Sequence, residues 1–479
     1  MKEVRKKSAD SAVNQMIVKA FRQQVDLTWD RAEAMQPQCG FGRLAICCSD
    51  CFEGPCRVNP FATDKQETIC GRDQAAMVAS YFAGKTADGT AALVKLAAEF
   101  GAEVNQATWQ TITASDDTMY IADYASRIDS LGQAATQALT AISKAKTAVY
   151  GQPQPDVVPA NLGTLTGERV NIVLHGHVAP QTVKALVAAA GASSVPVNIA
   201  SICGSEGSGA LAIPVLTNYD SQETPLLTGA VDLLVLGSQC VMPAVAALAG
   251  KLGVPVINAA ALKNADEAVA AAVTAFKRRS GKKVDIPAFS QEIYGGYTAA
   301  NSAALFDTLA KAYKKGTVSG LVYFGGCGNI AKTQDAELVK TAAGLVEKGY
   351  FVVTAGCVGT ALAKAGLCRP DYAGAKGLKA ALPAGIPPVI NLGSCHDGGE
   401  FIAIAKVVAG SGLPVFAVLP ELAHNKTLAT AVAFASQGID TFVGIGEVCL
   451  PDGIVGGRIR AYTDLSDLCQ PLAEVAAAK

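Results

Sequence analysis

From residue 170 onward the chain repeats one pattern nine times: a short apolar run rich in β-branched residues, then a helical segment rich in alanine. The runs are VNIVLHGH (170–177), VPVNIASIC (195–203), VDLLVLGSQC (231–240), VPVINAAA (254–261), GLVYFGGC (320–327), YFVVTAGC (350–357), PPVINLGSC (387–395), LPVFAVLP (413–420) and DTFVGIGEVC (440–449). Strands buried on both faces read as continuous apolar runs, and parallel strands need helical crossovers between them. Upstream, residues 4 to about 150 carry apolar side chains at helical spacing with many alanines, interrupted by a loop from Cys39 to Cys70. GQPQPDVVPANLG (151–163) ends the helical regime, and a polar segment near 277–317 divides the apolar runs into two groups. The expected fold class is mixed: an N-terminal α-helical domain (1–160), then two Rossmann-like α/β domains with parallel sheets (161–315 and 316–479). No G-x-G-x-x-G stands at a strand–helix junction ahead of a ribose-binding acid, so no dinucleotide site is expected.

Charge narrows the partners. The chain has 40 basic and 41 acidic side chains, a formal net charge of −1, and so offers no field for a phosphate backbone. Nucleic acid is therefore not expected. The most apolar long window, Val231–Gly250, contains Asp232 and a Gly-Ser-Gln-Cys turn, which reads as strand, turn and helix rather than a membrane span. The first residues, MKEVRKKSADS, lead into a charged helix and not into the apolar stretch of a signal peptide. A cytoplasmic location is the expectation. In a reducing compartment the 14 cysteines are not expected to be disulfides.

Two cysteine systems stand out. Cys48-x2-Cys51-x4-Cys56-x13-Cys70 places four soft donors in one short loop, which suits a [4Fe–4S] cube better than the paired knuckles of a zinc site. Cys47 adjoins Cys48, and neighbouring side chains tend to point apart. Cys39 and Cys47 thus supply two ligands to a cluster shared across a dimer axis, or else are free thiols. The second system is dispersed. His177, Cys203, Cys240, Cys327, Cys357 and Cys395 each fall at or just beyond the end of an apolar run, and ligands bind at the carboxyl ends of parallel strands. Convergence of these six on one buried metal cluster is expected. Cys368, Cys449 and Cys469 read as ordinary thiols.

The loop CGFGRLAICCSDCFEGPCRVNPF…TICGRD resembles the N-terminal cluster region of the anaerobic nickel–iron carbon monoxide dehydrogenases. VLHGH, QCVMP, GGCGN, TAGC, GSCHD and PELAHNK resemble that family's segments around its active-site cluster, in the same order. The resemblance implies a homodimer with a helical domain and two Rossmann-like domains per subunit. It implies that Cys39 and Cys47 hold half of an intersubunit cluster and that Cys48, Cys51, Cys56 and Cys70 hold a [4Fe–4S] relay. It further implies that the six dispersed residues hold a buried Ni–Fe–S cluster with Lys426 beside it. The implied reaction is oxidation of CO with water to CO2, the electrons passing to a ferredoxin-like acceptor.

Three departures are visible. Cys203 stands alone in SICGSEG where the family has two adjacent cysteines, so either Cys203 is the ligand or Glu206 or water replaces it. The family's histidine proton relay is absent: the only histidines are His175, His177, His396 and His424. The chain is also shorter than typical members, mostly before residue 165. His424 occupies the place where the related hybrid-cluster proteins, which resemble hydroxylamine reductases, carry a glutamate. That points to an alternative, an iron–sulfur–oxygen hybrid cluster reducing hydroxylamine or a similar small molecule. His424 and His396, which follows Cys395, are candidates for acid–base or tuning roles.

Overall fold

The computed structural model describes residues 6–113, 123–204, 210–444, 450–451, 453–464, 468–469 and 472–474. The helical expectation for the N-terminal region holds, with long helices at Gln74–Glu99 and Tyr124–Tyr150. Asp73 and Asp123 cap these two helices by accepting from the backbone N–H of Ala76 and Ser126. The cysteine loop between Cys39 and Cys70 contains only a short ladder, β1 (Cys47–Cys48) antiparallel to β2 (Cys56–Arg57).

All nine apolar runs form strands: β4 (Val170–His175), β5 (Val197–Ile202), β7 (Leu233–Leu236), β8 (Val256–Asn258), β10 (Gly320–Phe324), β11 (Tyr350–Thr354), β12 (Val389–Asn391), β13 (Val415–Leu419) and β14 (Asp440–Val443). Every residue of β4, β10 and β11 is buried, which is why these runs lack polar alternation. Four further strands carry no comparable run: β3 (Asp156–Ala160), β6 (Val215–Thr217), β9 (Gln291–Gly295) and β15 (Ile459–Ala461).

The expectation of two separate Rossmann-like sheets needs correction. The strands form one thirteen-stranded sheet in the order β15-β14-β13-β10-β11-β12-β9-β3-β6-β5-β4-β7-β8. Its neighbours are parallel except at β3–β9, where Asp156–Ala160 run antiparallel to Gln291–Gly295. Each half is a parallel α/β unit, and the seam strands come from the two segments that read in sequence as breaks. Both seam strands are short and carry polar residues or proline, so no apolar run announces them.

The helical region covers one end of this sheet. The helix Asn425–Ser436 lies against both long N-terminal helices. A Cβ on Gly89 would come within 2.0 Å of the Asn425 carbonyl oxygen, so only glycine allows that approach. The helix that carries Lys426 is thereby fixed between the helical region and the sheet. No helix among the described residues is long and apolar enough to cross a membrane.

Candidate metal centre

The strand ends converge. Gly204, after β5, bridges to Ser394, after β12, which ties the tips of the two half-sheets together. His177 pairs with Ser238 through reciprocal backbone hydrogen bonds, bringing the tips of β4 and β7 side by side. The close approach explains the glycines that precede the cysteines. A Cβ on Gly237 would lie 2.3 Å from the His177 carbonyl oxygen, and one on Gly356 would lie 2.7 Å from Cβ of Cys395. The backbone is also strained there, with positive φ at Cys203 (71°), Gln239 (63°) and Cys240 (55°). Non-glycine residues hold such angles only where the surrounding structure imposes them, commonly at functional sites.

The side chains gather around one interior point. Ligand atoms of His177, Cys240 and Cys395 all lie within 4.8 Å of one another. His177 Nε2 is 3.7 Å from Cys240 Sγ and 3.6 Å from Cys395 Sγ. Cys203 is near enough to Cys357 to interact with it, and Cys327 is near enough to Cys357, Cys240 and Cys395 to feel their charge. Cys203 therefore reaches the cluster of thiols on its own. Glu206 lies outside the described residues.

Electrostatics make the protein-only arrangement costly. Burial drives the Cys203 and Cys327 thiols up, and the Cys327 thiol is raised further by the neighbouring sulfurs. Cys357 is driven well up by its hydrogen bond with Cys203 and then by burial. Cys240 and Cys395 are pushed in opposite directions. Their mutual hydrogen bond pushes Cys240 down, which burial opposes and Lys426 assists, and the same bond pushes Cys395 up. Three buried and two half-buried thiols with one imidazole form a soft donor set, and metal binding would displace the protons that burial retains. The residues present fit a buried iron–sulfur-type cluster.

A second layer holds the donors. Lys426 Nζ lies 2.5 Å from His177 Nε2, 3.6 Å from Cys240 Sγ and 3.2 Å from Gln239 Oε1. Burial opposes its charge, but the Cys240 and Cys395 sulfurs outweigh burial and hold the ammonium protonated. The other ring nitrogen of His177, Nδ1, meets His396 Nδ1 at 3.2 Å. His396 Nε2 lies 3.3 Å from Lys146 Nζ, and Lys146 donates to both Asp397 oxygens at 2.7 Å. Burial, reinforced by Lys146, keeps His396 neutral. His424 Nδ1 and Thr427 Oγ1 each sit 3.1 Å from Cys327 Sγ, and the His424 ring stacks edge-on against Tyr219. Burial lowers His424 to about 4. His175 is buried against Gln222 and lies 4.0 Å from Cys203 Sγ.

Lys146, Gln239, Tyr219 and Thr427 escaped sequence reasoning. Gln239 lies inside the QCVMP motif and was within reach. Lys146 sits on an alanine-rich helix far from every strand tip, and nothing in its sequence context marks it.

The N-terminal cysteines are arranged differently. Cys48 stands opposite Cys56 across the β1–β2 ladder, and Cys47 opposite Arg57. Successive residues of a strand face opposite sides, which separates Cys47 from Cys48. Ile46 and Val58 anchor the base of the ladder in the core. Arg72 donates to Asp50 at 2.7 Å and reaches Cys48 Sγ at 3.8 Å, while Thr68 Oγ1 lies 3.3 Å from Cys70 Sγ. Cys39 and Cys70 are exposed, and Cys47, Cys48, Cys51 and Cys56 are half-buried. Among the described residues no three of the loop thiols share one ion-sized point as His177, Cys240 and Cys395 do. Cys368 is fully buried and Cys469 half-buried; Cys449 lies outside the described residues.

Comparison with known proteins accords with this arrangement. The profile of the Prismane/CO dehydrogenase family matches residues 100–449. The chain is 28% identical to carbon monoxide dehydrogenase 2 of Carboxydothermus hydrogenoformans, over 92% of this chain and 91% of that protein. It is also 28% identical to the carbon monoxide dehydrogenase of Rhodospirillum rubrum, over 91% of this chain and 90% of that one. The solved structure of carbon monoxide dehydrogenase IV from Carboxydothermus hydrogenoformans shares the fold, with a TM-score of 0.86, 24% identity and 99% coverage of both chains. A fold that brings His177, Cys240 and Cys395 to one point, together with a profile match across most of the chain, leads to one assignment: the chain belongs to the Prismane/CO dehydrogenase family.

Proposed function

We propose that this chain is an iron–sulfur oxidoreductase of the carbon monoxide dehydrogenase type, catalysing CO + H2O → CO2 + 2 H⁺ + 2 e⁻. The observation that carries this reading is the sulfur-rich donor set at the strand tips. Cys203 lies close enough to the other thiols to interact with them, and Lys426 lies directly against Cys240 and His177. His177, Cys203, Cys240, Cys327, Cys357 and Cys395 would hold the cluster. A nickel–iron–sulfur group there supplies an electrophilic metal to bind CO and a store for the two electrons.

The remaining roles fall to the chain's own side chains. The Lys426 ammonium stabilises negative charge that develops on a bound carboxyl group. His396, held by Lys146, meets Nδ1 of His177 and fixes its ring so that Nε2 faces the sulfurs. Cys48, Cys51, Cys56 and Cys70 would carry a [4Fe–4S] relay. Cys39 and Cys47 would supply half of a cluster shared by two copies of the chain, from which electrons leave to a ferredoxin-like protein.

A second reading rests on His424. It places a nitrogen 3.1 Å from Cys327 Sγ, where the hybrid-cluster relatives carry a glutamate. A nickel-free iron–sulfur–oxygen cluster reducing hydroxylamine or a similar small molecule would use that position. Oxygen-free preparation, metal analysis and anomalous scattering at the iron and nickel edges separate the two. Nickel at the strand tips with CO-dependent dye reduction supports the first reading. A fully loaded, nickel-free cluster with bridging oxygens and hydroxylamine turnover replaces it with the second.

A further inference from the structure

The buried centre must exchange protons with solvent. Beside it lies a buried carboxyl. Asp220 is only 2% exposed, on the turn Tyr219–Ser221 that follows β6, and its Oδ2 has no hydrogen-bond partner. That oxygen points at the backbone just past Cys327: a Cβ on Gly328 would come within 2.0 Å of it. On the other flank the preceding residue, Tyr219, donates its backbone N–H to Cys357 Sγ at 3.4 Å.

Three charged groups act on Asp220, and none is a metal ligand: Asp335, Glu421 and Lys364. Lys364 is already engaged, 2.7 Å from Asp335 and 3.1 Å from Asp10. Glu421 is held by Lys332 and by Asn329, two residues beyond Cys327. An unpaired carboxylate buried beside two others costs more than its acid form. Burial first, and then Asp335 and Glu421, raise the Asp220 carboxyl to about 7. Glu421 lines two cavities of about 540 and 500 Å3, which open between the helical region, the segment after Cys327 and the end of the chain.

We propose that Asp220 is the proton-holding residue of the buried centre, exchanging protons between the Cys327–Gly328 tip and the solvent cavities at Glu421. The step balances as carboxylate plus proton giving carboxylic acid. No electron passes through this residue, because the two electrons of each CO oxidised leave by the relay cysteines. The inference rests on the redox reading of the centre but not on which small molecule turns over, since oxidation of CO releases protons and reduction of hydroxylamine consumes them.

The test uses the full-length, metal-loaded protein prepared without oxygen, with Asp220→Asn and Asp220→Glu variants. Infrared difference spectra in H2O and D2O across neutral pH read the carboxyl directly. The wild type should show a carboxylic C=O band that titrates near neutrality and is missing in Asp220→Asn. Steady-state turnover should fall about 10²-fold in Asp220→Asn with iron content and paramagnetic signals retained, and Asp220→Glu should recover part of it with a displaced pH profile. Absence of the band from the wild type overturns the proposal. So does wild-type turnover and pH profile in Asp220→Asn, or loss of iron in both variants in step with activity, which would make the residue structural. A wild type that turns over neither CO nor hydroxylamine defeats the functional reading, while the infrared band still decides the case for Asp220.

Discussion

The two cysteine systems present their soft donors by opposite means. At the strand tips each donor is fixed by a separate element of a thirteen-stranded sheet, and Cys203, Cys327 and Cys357 are buried. In the N-terminal loop the donors hang from a two-residue ladder, with Cys39 and Cys70 exposed. A sheet aims side chains before any metal arrives, so the strand-tip site is preorganised and its cost is stored as positive φ at Cys203, Gln239 and Cys240. Where a loop of this kind binds metal, affinity is coupled to folding.

The largest contrast should appear in thiol accessibility. In metal-free protein, iodoacetamide should modify Cys39 and Cys70 roughly 10³-fold faster than Cys203, Cys327 or Cys357, which need local opening worth about 4 kcal/mol. The backbone N–H groups of Gly42 and Phe41 lower the Cys39 thiol, and the Thr68 hydroxyl lowers that of Cys70. The thiolate is the reactive form, so both rates should fall as the pH drops through these lowered values and hold at a plateau above them. Mass spectrometry of timed digests checks this. Equal labelling of both systems would remove the distinction.

Next in size is the effect of removing charge beside the buried donors. Lys426→Met should lower CO-dependent dye reduction by about 10²- to 10³-fold while iron content stays near that of the wild type. His396→Leu removes the contact with His177 Nδ1 and should cost about 10- to 100-fold in metal affinity or activity. Its measure is metal retained after dialysis against chelator. The relay signal of the loop should be unchanged in both variants, and a change there would show that the two systems are not independent.

A smaller effect is expected from Arg72→Gln, which removes the ion pair to half-exposed Asp50 and the contact with Cys48. The ion pair itself is worth less than about 1 kcal/mol. Thermal unfolding should move by no more than a few degrees, and the strand-tip signals should not move at all.

The strand-end placement of the candidate donors was legible in the residues. The strand-end position of His177, Cys203, Cys240, Cys327, Cys357 and Cys395 follows from apolar runs that stop at a glycine and a cysteine, and a parallel sheet leaves such ends on one side. Cys203 shows where spacing fell short. A missing neighbouring cysteine left its role open between sulfur and oxygen, and the register of β5 against β6, which shifts at Ser201 and Ile202, accompanies its turn toward Cys357. The seam at β3 and β9 was illegible because a strand paired at an edge of each half needs no apolar signature. Lys146 and Asp220 were illegible for a related reason: a lone lysine on a helix or a lone aspartate on a turn is ordinary until packing brings it beside the centre.

Local chemistry was thus written in the chain order: which residues can form strands, which can bind soft metal, and that these alternate. Pairwise closeness was not. That the two half-sheets fuse, that Lys146 reaches His396 from more than two hundred positions away, and that Oδ2 of Asp220 is left without a hydrogen-bond partner all depend on distances between segments. Such distances are set by close packing of the whole core, which no short stretch of sequence encodes.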